Sequence, residues 1–204
     1  MACRTLRSLA LLLPVLVAFP ALADSPLTST PIWYAYADEY AMVAHATEEG
    51  MMTEEIAEYL ASEGVPIDVK AAVISALGWD IDGKTSAEEY CAFVYPDADG
   101  IPAPSDLSGE EALVIGYLQA MDDYFHPENA LPMLAHARSE MPESLTVAVL
   151  HTLCEAQRLF DEVDDWYELW HMTALVIYDR ELTGDMRVGA IRIIEDYMSL
   201  YAEE

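Results

Sequence analysis

Apolar residues recur at helical spacing almost throughout this chain, and this pattern limits the fold more than any other feature. Val149, Leu153, Ala156 and Phe160 follow one another at spacings of four, three and four residues, as on one face of a helix. Glycines and prolines punctuate the pattern, and no run alternates as a half-buried strand does. The sequence therefore predicts an all-α protein, either a helical bundle or a short α-solenoid of antiparallel helical hairpins.

Helix end signals divide the pattern into nine predicted helical segments. Thr53 is a good N-cap with acids behind it, and Ser108 with Glu111 forms a capping pattern. The nine segments are 31–50, 52–64, 66–78, 86–95, 108–125, 127–141, 143–160, 163–180 and 183–201. Residues 95–108, rich in proline and glycine, form the longest irregular stretch and are a candidate hinge between two halves.

Residues 128–160 resemble a junction within a tetratricopeptide repeat. Small residues lie inside the first helix, a proline separates the helices, and a second helix follows. The resemblance covers about one repeat and lacks the repeat's aromatic and glycine signature elsewhere. It implies helical hairpins, and nothing about activity.

The first 23 residues have the pattern of a secretory signal peptide. Arg4 and Arg7 precede a short apolar run, and small residues lead to a cleavage position after Ala23. The alternative is a retained anchor, which Pro14 and the shortness of the run disfavour. We expect a periplasmic or secreted protein of residues 24–204, forming one all-helical domain with no membrane insertion after processing.

The charge balance is strongly acidic. Without Arg4 and Arg7 the chain has 7 basic and 37 acidic residues, a net charge of −30. Such a surface repels nucleic acid and anionic membranes. Two interpretations remain open: a solvated acidic coat, or an acidic face for a basic partner or for metal cations.

Cys91 and Cys154 remain after processing, since Cys3 leaves with the signal peptide. One pair of cysteines in an exported protein predicts a disulfide. The alternatives are two buried free thiols, or a zinc site made by His151, Cys154 and a third ligand.

Residues 78–90 contain part of a calcium-loop pattern. With Gly83 at loop position 6, Asp80, Asp82 and Glu89 fall at positions 3, 5 and 12. Position 1 is Gly78, which has no carboxylate to offer. The stretch is either a weak calcium site or a plain turn between two helices.

Two further groups are candidate sites. Carboxylates beside a histidine can act as a general base or a metal site, and stacked aromatic residues can bind sugars or cations. The first group comprises Asp122, Asp123, His126 and Glu128, and the second Trp166, Trp170 and His171. The simpler interpretations are a solvated helix end and a hydrophobic core. Glu168 and His171 make a single Glu-x-x-His, whereas a di-iron bundle needs two.

The sequence contains no Gly-x-Ser-x-Gly, His-Glu-x-x-His, Cys-x-x-Cys or phosphate-binding glycine loop. The prediction is an exported, acidic, helical binding protein that acts on a protein partner, specifically a basic one. An inhibitor or immunity-type protein for a secreted enzyme is one concrete form. The alternatives are a calcium-binding periplasmic protein and an enzyme with a scattered site.

Overall fold

A computed structural model describes residues 25–202, and the predicted signal peptide lies outside them. This part of the chain contains nine α-helices and no strand, which confirms the all-α prediction. The helices are α1 Ala41–Glu49, α2 Glu54–Ala61, α3 Ile67–Leu77, α4 Ser86–Val94, α5 Gly109–Asp122, α6 Leu131–Glu140, α7 Leu145–Leu159, α8 Tyr167–Ile177 and α9 Val188–Met198.

Helices α3 and α5 lie at the centre of the fold. Every residue of α3 is buried, and so is nearly every residue of α5. A helix with apolar residues on all sides belongs inside a protein, and both helices have this character apart from a few polar residues such as Asp68 and Lys70. Gly116 allows a close approach of α6 to α5, because a Cβ there would lie 2.9 Å from the Cβ of Met133.

The other helices surround this pair. Helix α1 packs on α3. Helices α2 and α5 both pack on α4, and helices α6 and α8 both pack on α7. Helix α9 packs on a 3-10 helix at Ile32–Ala35, so the two ends of the described chain meet. Within residues 25–202 no helix is both long enough and apolar enough to span a bilayer.

The predicted helix over 31–50 is wrong in its first half. The chain makes a short 3-10 helix, turns, and begins α1 only at Ala41. Tyr36 is fully buried, and its hydroxyl donates a hydrogen bond to Asp68 Oδ2 at 2.9 Å. It also accepts one from the backbone N–H of Arg187 at 3.2 Å. These tertiary contacts override the local helical spacing.

Both predicted N-caps are confirmed. The Thr53 hydroxyl accepts a hydrogen bond from the N–H of Ile56, and Ser108 and Glu111 form a complete capping box. Glu111 also accepts a hydrogen bond from the Tyr95 hydroxyl at 2.9 Å. This bond ties the start of the irregular 95–108 segment to α5, and a hinge there stays a prediction.

The predicted disulfide is wrong, because Cys91 and Cys154 are both free and buried. Cys91 lies on α4, which packs on α2 and α5, whereas Cys154 lies on α7, which packs mainly on α6 and α8. The Cys154 thiol donates instead to the carbonyl of Pro127 at 3.4 Å. An even cysteine count does not place two sulfur atoms within bonding distance, and these two helices have different neighbours.

Candidate functional site

One cleft in the described part of the chain lies between two loops that are about forty residues apart in the sequence. It has a volume of about 470 Å³ and is lined by residues 80–85 and 122–126. The first run joins α3 to α4, and the second follows the end of α5. We call this feature the loop cleft. It brings the predicted calcium loop and the predicted Asp–His cluster to one place.

Backbone contacts hold the two loops together. The N–H of Lys84 donates to the backbone carbonyl of Asp122 at 2.9 Å. Gly83 lies beside the same carbonyl with a φ of +82°, and a Cβ there would be 3.3 Å from its oxygen. Glycine suits this position because it tolerates both the positive φ and the close approach.

Asp122 also caps the helix across the cleft. Thr85, the N-cap residue of α4, makes no capping hydrogen bond with its own side chain. Asp122 Oδ2 instead accepts the N–H of Ala87 at 2.7 Å, so the last residue of α5 caps the first turn of α4. A carboxylate at a helix N-terminus also interacts favourably with the helix dipole.

The second carboxylate oxygen of Asp122 has no such partner. Asp122 is 8% exposed, and its Oδ1 is buried without a hydrogen bond from the described residues. Burial raises the pKa of Asp122, while the N–H of Ala87, the nearby Ser86 and the charge of Lys84 act in the opposite direction. Ser86 lies near enough to affect this pKa, although it makes no hydrogen bond of normal geometry to Oδ1.

Lys84 turns its ammonium group toward the end of α3. Its Nζ donates to the carbonyls of Leu77 at 2.6 Å, Gly50 at 2.9 Å and Gly78 at 3.3 Å. These bonds satisfy carbonyls that a helix end leaves free. Burial lowers the pKa of Lys84, against the attraction of the carboxylates of Asp122, Asp80 and Glu89.

Three aromatic rings form a cluster at the cleft, and two of them, Tyr124 and Phe125, belong to its lining. Tyr124, 3% exposed, packs edge-on against Trp79 with ring centroids 4.9 Å apart. The ring of Phe125 also contacts Tyr124, with centroids 4.2 Å apart, and 59% of the surface of Phe125 is exposed. The hydroxyl of Tyr124 is buried and makes no hydrogen bond with the described residues.

The rim combines apolar side chains with acids. Ile81 is 60% exposed and stands between Asp80 and Asp82, both exposed. Asp123 pairs with His126, whose Nδ1 is 3.1 Å from each carboxylate oxygen. This hydrogen bond and the charge of Asp123 raise the pKa of His126.

Two of the three predicted calcium ligands, Asp80 and Glu89, accept hydrogen bonds within the chain. Asp80 Oδ1 accepts the N–H of Asp82 at 3.0 Å, and Glu89 Oε1 accepts the hydroxyl of Thr85 at 3.1 Å. Within residues 25–202 no three His, Cys, Asp or Glu side chains are grouped as a metal ion needs. The arrangement favours the plain helix-to-helix turn, and calcium binding stays a prediction.

The remaining predicted residues do not join the cleft lining. Glu128 is exposed just beyond it. Trp166 packs against Phe160 and Tyr201 at 5.2 and 5.6 Å, and Trp170 packs on the core. His171 is exposed and stacks on Tyr167 at 5.9 Å.

Sequence reasoning missed three contributors to the cleft: Ile81, Tyr124 and Phe125. Apolar residues inside two acidic turns were a usable signal, since exposed apolar side chains that come together beside charged groups mark a binding surface. Their meeting across the cleft depends on the contact between Lys84 and Asp122, which no local pattern encodes.

The fold and the site together define an all-α protein with an acidic, aromatic-walled cleft. No known protein family, characterised protein or solved structure shows significant similarity to this chain.

Proposed function

We propose that this protein is an exported binding protein, and that it binds a basic segment of another protein at the loop cleft. The observation that carries this proposal is the apolar rim: Ile81 and Phe125 are 60% and 59% exposed beside the carboxylates of Asp80, Asp82 and Asp123. An exposed apolar surface bordered by charged groups is the usual character of a protein-binding site.

Electrostatics support a basic partner. The cleft lining carries four carboxylates, from Asp80, Asp82, Asp122 and Asp123, against one lysine and one histidine. The chain as a whole has a net charge of −28. Complementary charge speeds encounter and orients the partner, and apolar contacts at the centre then provide most of the affinity.

A specific form of this proposal is an inhibitor or immunity-type protein that covers a basic site on a secreted enzyme. The compact helical scaffold supports it, because a docking face on rigid elements loses little entropy on binding. Helices α3 and α5, which carry the two cleft loops, are the most deeply buried of the described helices.

The test is affinity capture from a cell-envelope extract with a C-terminally tagged protein. The cleft variant is Ile81→Ser with Phe125→Ser. The matched control is Leu175→Ser with Tyr178→Ser. It removes one large side chain in α8 and one just after its end, which are 63% and 58% exposed. All four positions are exposed, so neither double variant should disturb the core.

We expect the same protein to be captured by wild type and by the control, and to be absent with the cleft variant. Capture should weaken as salt increases, because exposed charges are screened. Equal capture by the cleft variant, loss with the control variant, or no captured protein at all would contradict the proposal.

A further inference from the structure

Helix α8 turns apolar side chains to solvent. Only Leu169 and Thr173 of this helix are buried. The exposed residues follow one another at helical spacing on the opposite side: Tyr167, His171, Leu175 and Tyr178. We call these four residues the α8 face. None of them is Asp, Glu, Lys or Arg, whereas a helix on a protein surface normally turns charged residues to water.

The neighbouring helix α9 shows the usual arrangement. Its buried residues are Ala190, Ile194 and Met198, whereas Arg192 and Asp196 are exposed. The two helices have the same length and pack on each other. The apolar outward side is therefore a property of α8 itself and not of the whole C-terminal part of the described chain.

The α8 face is large enough to be an interface. Tyr167, Leu175 and Tyr178 are 47%, 63% and 58% exposed. Val188 of α9, 64% exposed, lies two turns before Glu195, which accepts the hydroxyl of Tyr178. At roughly 100 Å² each these four side chains expose about 400 Å², the size of the largest apolar patch on a typical monomer. Two such patches with a polar rim reach the lower size range of specific interfaces, about 1,200 Å².

The charges beside the α8 face favour an acidic partner. A chain with a net charge of −28 repels a second copy of itself over most of its surface. Arg180 and Arg192 are the two basic residues of 25–202 whose side chains donate to no other described residue. Arg180 follows the end of α8, and Arg192 lies one turn before Glu195 on α9. Repulsion between two copies is therefore weakest at this face.

The two ends of α8 carry opposite charges. Asp165 and Glu168 lie at its start, and Arg180 follows its end. In an antiparallel pair of α8 helices with a twofold axis near Ala174, Glu168 of each copy lies opposite Arg180 of the other, since Ala174 is midway between them in the sequence. A twofold interface requires this kind of self-complementary surface.

We infer that the occupant of the α8 face is a second copy of this chain, bound as a twofold dimer with its α8 antiparallel to the first. The apolar side chains meet at the centre, and Glu168 pairs with Arg180 at both ends. This inference goes beyond the proposed function. The loop cleft is formed by the α3–α4 connection and the end of α5, so the two sites share no residue.

The experiment is analytical ultracentrifugation of the purified exported protein. Between about 1 and 500 μM we expect a monomer–dimer equilibrium with a Kd on the order of 10 μM, as suits an interface of modest area. Leu175→Ser with Tyr178→Ser should weaken the dimer at least about tenfold, because both side chains lie in the apolar centre. Ile81→Ser with Phe125→Ser is the matched control, since it removes two equally exposed side chains at the loop cleft and should leave the dimer unchanged.

A charge exchange tests the antiparallel arrangement. Arg180→Glu places like charges opposite each other and should weaken the dimer about fivefold. Glu168→Arg combined with Arg180→Glu should restore the wild-type Kd to within about twofold, because each pair is then re-formed with its signs reversed. Both positions are exposed, and the combined variant has the same net charge as the wild type. A role of Arg180 within one copy would not produce this recovery.

A monomer at every concentration, a dimer that Leu175→Ser with Tyr178→Ser leaves intact, or no recovery in the exchanged pair would overturn the inference. A different protein that binds the α8 face of a monomeric chain would also overturn it. Failure of the proposed function is a separate result. The monomeric α8 variant should still capture the partner of the loop cleft, and the cleft variant should still dimerise.

Discussion

At the scale of single residues, the charge of His126 on the cleft rim depends on pH and on its partner Asp123. The Asp123 carboxylate raises the pKa of His126 through a hydrogen bond and its charge. The pair therefore stabilises the fold fully below the unfolded-state pKa of about 6.5. This stabilisation is lost as the pH rises through the higher folded-state pKa. Because both side chains are at least half exposed, the effect on unfolding should be small and weakened by salt.

An NMR titration of the histidine rings checks this prediction. His126 should titrate above the ordinary histidine value, and Asp123→Asn should lower its pKa toward that value. Asp161→Asn, an exposed aspartate elsewhere, is the control and should leave it unchanged. A pKa of His126 that does not respond to Asp123→Asn would contradict the prediction.

The two described cysteines should behave as inert core residues. Burial raises the pKa of Cys91 to about 11 and is the main reason that the pKa of Cys154 rises to about 12. Since the thiolate is the reactive form, neither thiol should react readily at neutral pH. We expect slow maleimide labelling of both residues in the native protein and full labelling in urea, located by peptide mass spectrometry. A reductant should leave the melting temperature unchanged, and a Cys91–Cys154 bridged peptide without reductant would contradict the structure.

Residue patterns pointed to each of the two segments that line the loop cleft, but they did not predict that the two segments meet. Asp80 and Asp82 stood out by their spacing from Gly83, and Asp122, Asp123 and His126 stood out as a cluster. Their meeting depends on tertiary contacts between segments about forty residues apart, such as the Lys84–Asp122 backbone bond. For the same reason the cysteine count led to a wrong disulfide.

At the scale of helices, the capping box of α5 contributes measurably to stability. The Ser108 hydroxyl accepts the N–H of Glu111, and Glu111 accepts the N–H of Ser108 in return. Ser108→Ala should therefore reduce the free energy of unfolding by about 1 kcal/mol. For a chain of this size the melting temperature should fall by about 2–4 °C.

Thr85→Ala is the matched control for this prediction. Thr85 is the N-cap residue of α4, but its side chain makes no capping bond, because Asp122 caps this helix from across the cleft. Its loss should change the free energy of unfolding by no more than about 0.5 kcal/mol. Urea unfolding of both variants gives the comparison, and equal effects would contradict the assigned caps.

Helix end signals were the most dependable part of the sequence pattern. Thr53, Gly78 and Ser108 each mark a helix end in the structure. The caps at Thr53 and Ser108 satisfy backbone groups of the same segment and need no distant partner. The one helix that failed, over 31–50, contains Tyr36. The position of that ring is decided by Asp68 and Arg187, which are far away in sequence.

At the scale of the whole molecule, Tyr36 joins the two ends of the described chain. Its hydroxyl donates to Asp68 in α3 and accepts from the N–H of Arg187 just before α9. The guanidinium of Arg187 lies 4.8 Å from the centre of the Tyr36 ring and pairs with Glu39 at 2.7 Å. These contacts connect the N-terminal segment, the central helix and the C-terminal helix.

Tyr36→Phe should lower the free energy of unfolding by about 1–3 kcal/mol, because a buried carboxylate loses its donor and an N–H loses its acceptor. Tyr34→Phe is the control, since Tyr34 is 64% exposed. Urea unfolding measures both, and hydrogen exchange should show faster opening of residues 32–40 and 188–198 in Tyr36→Phe. Stability of that variant within about 0.5 kcal/mol of wild type would contradict the assignment.

Most basic side chains in the described part of the chain bind groups of the protein itself. Five of the seven basic side chains in the described part donate to groups of the chain itself: Lys70, Lys84, Arg138, Arg158 and Arg187. Carboxylates therefore dominate the charge of the outer surface, and such a charge attracts basic proteins in general. Charge alone cannot give such a surface selectivity, which must come from uncharged groups of fixed shape. Under the proposed function, the packed rings of Trp79, Tyr124 and Phe125 would be the groups that provide it.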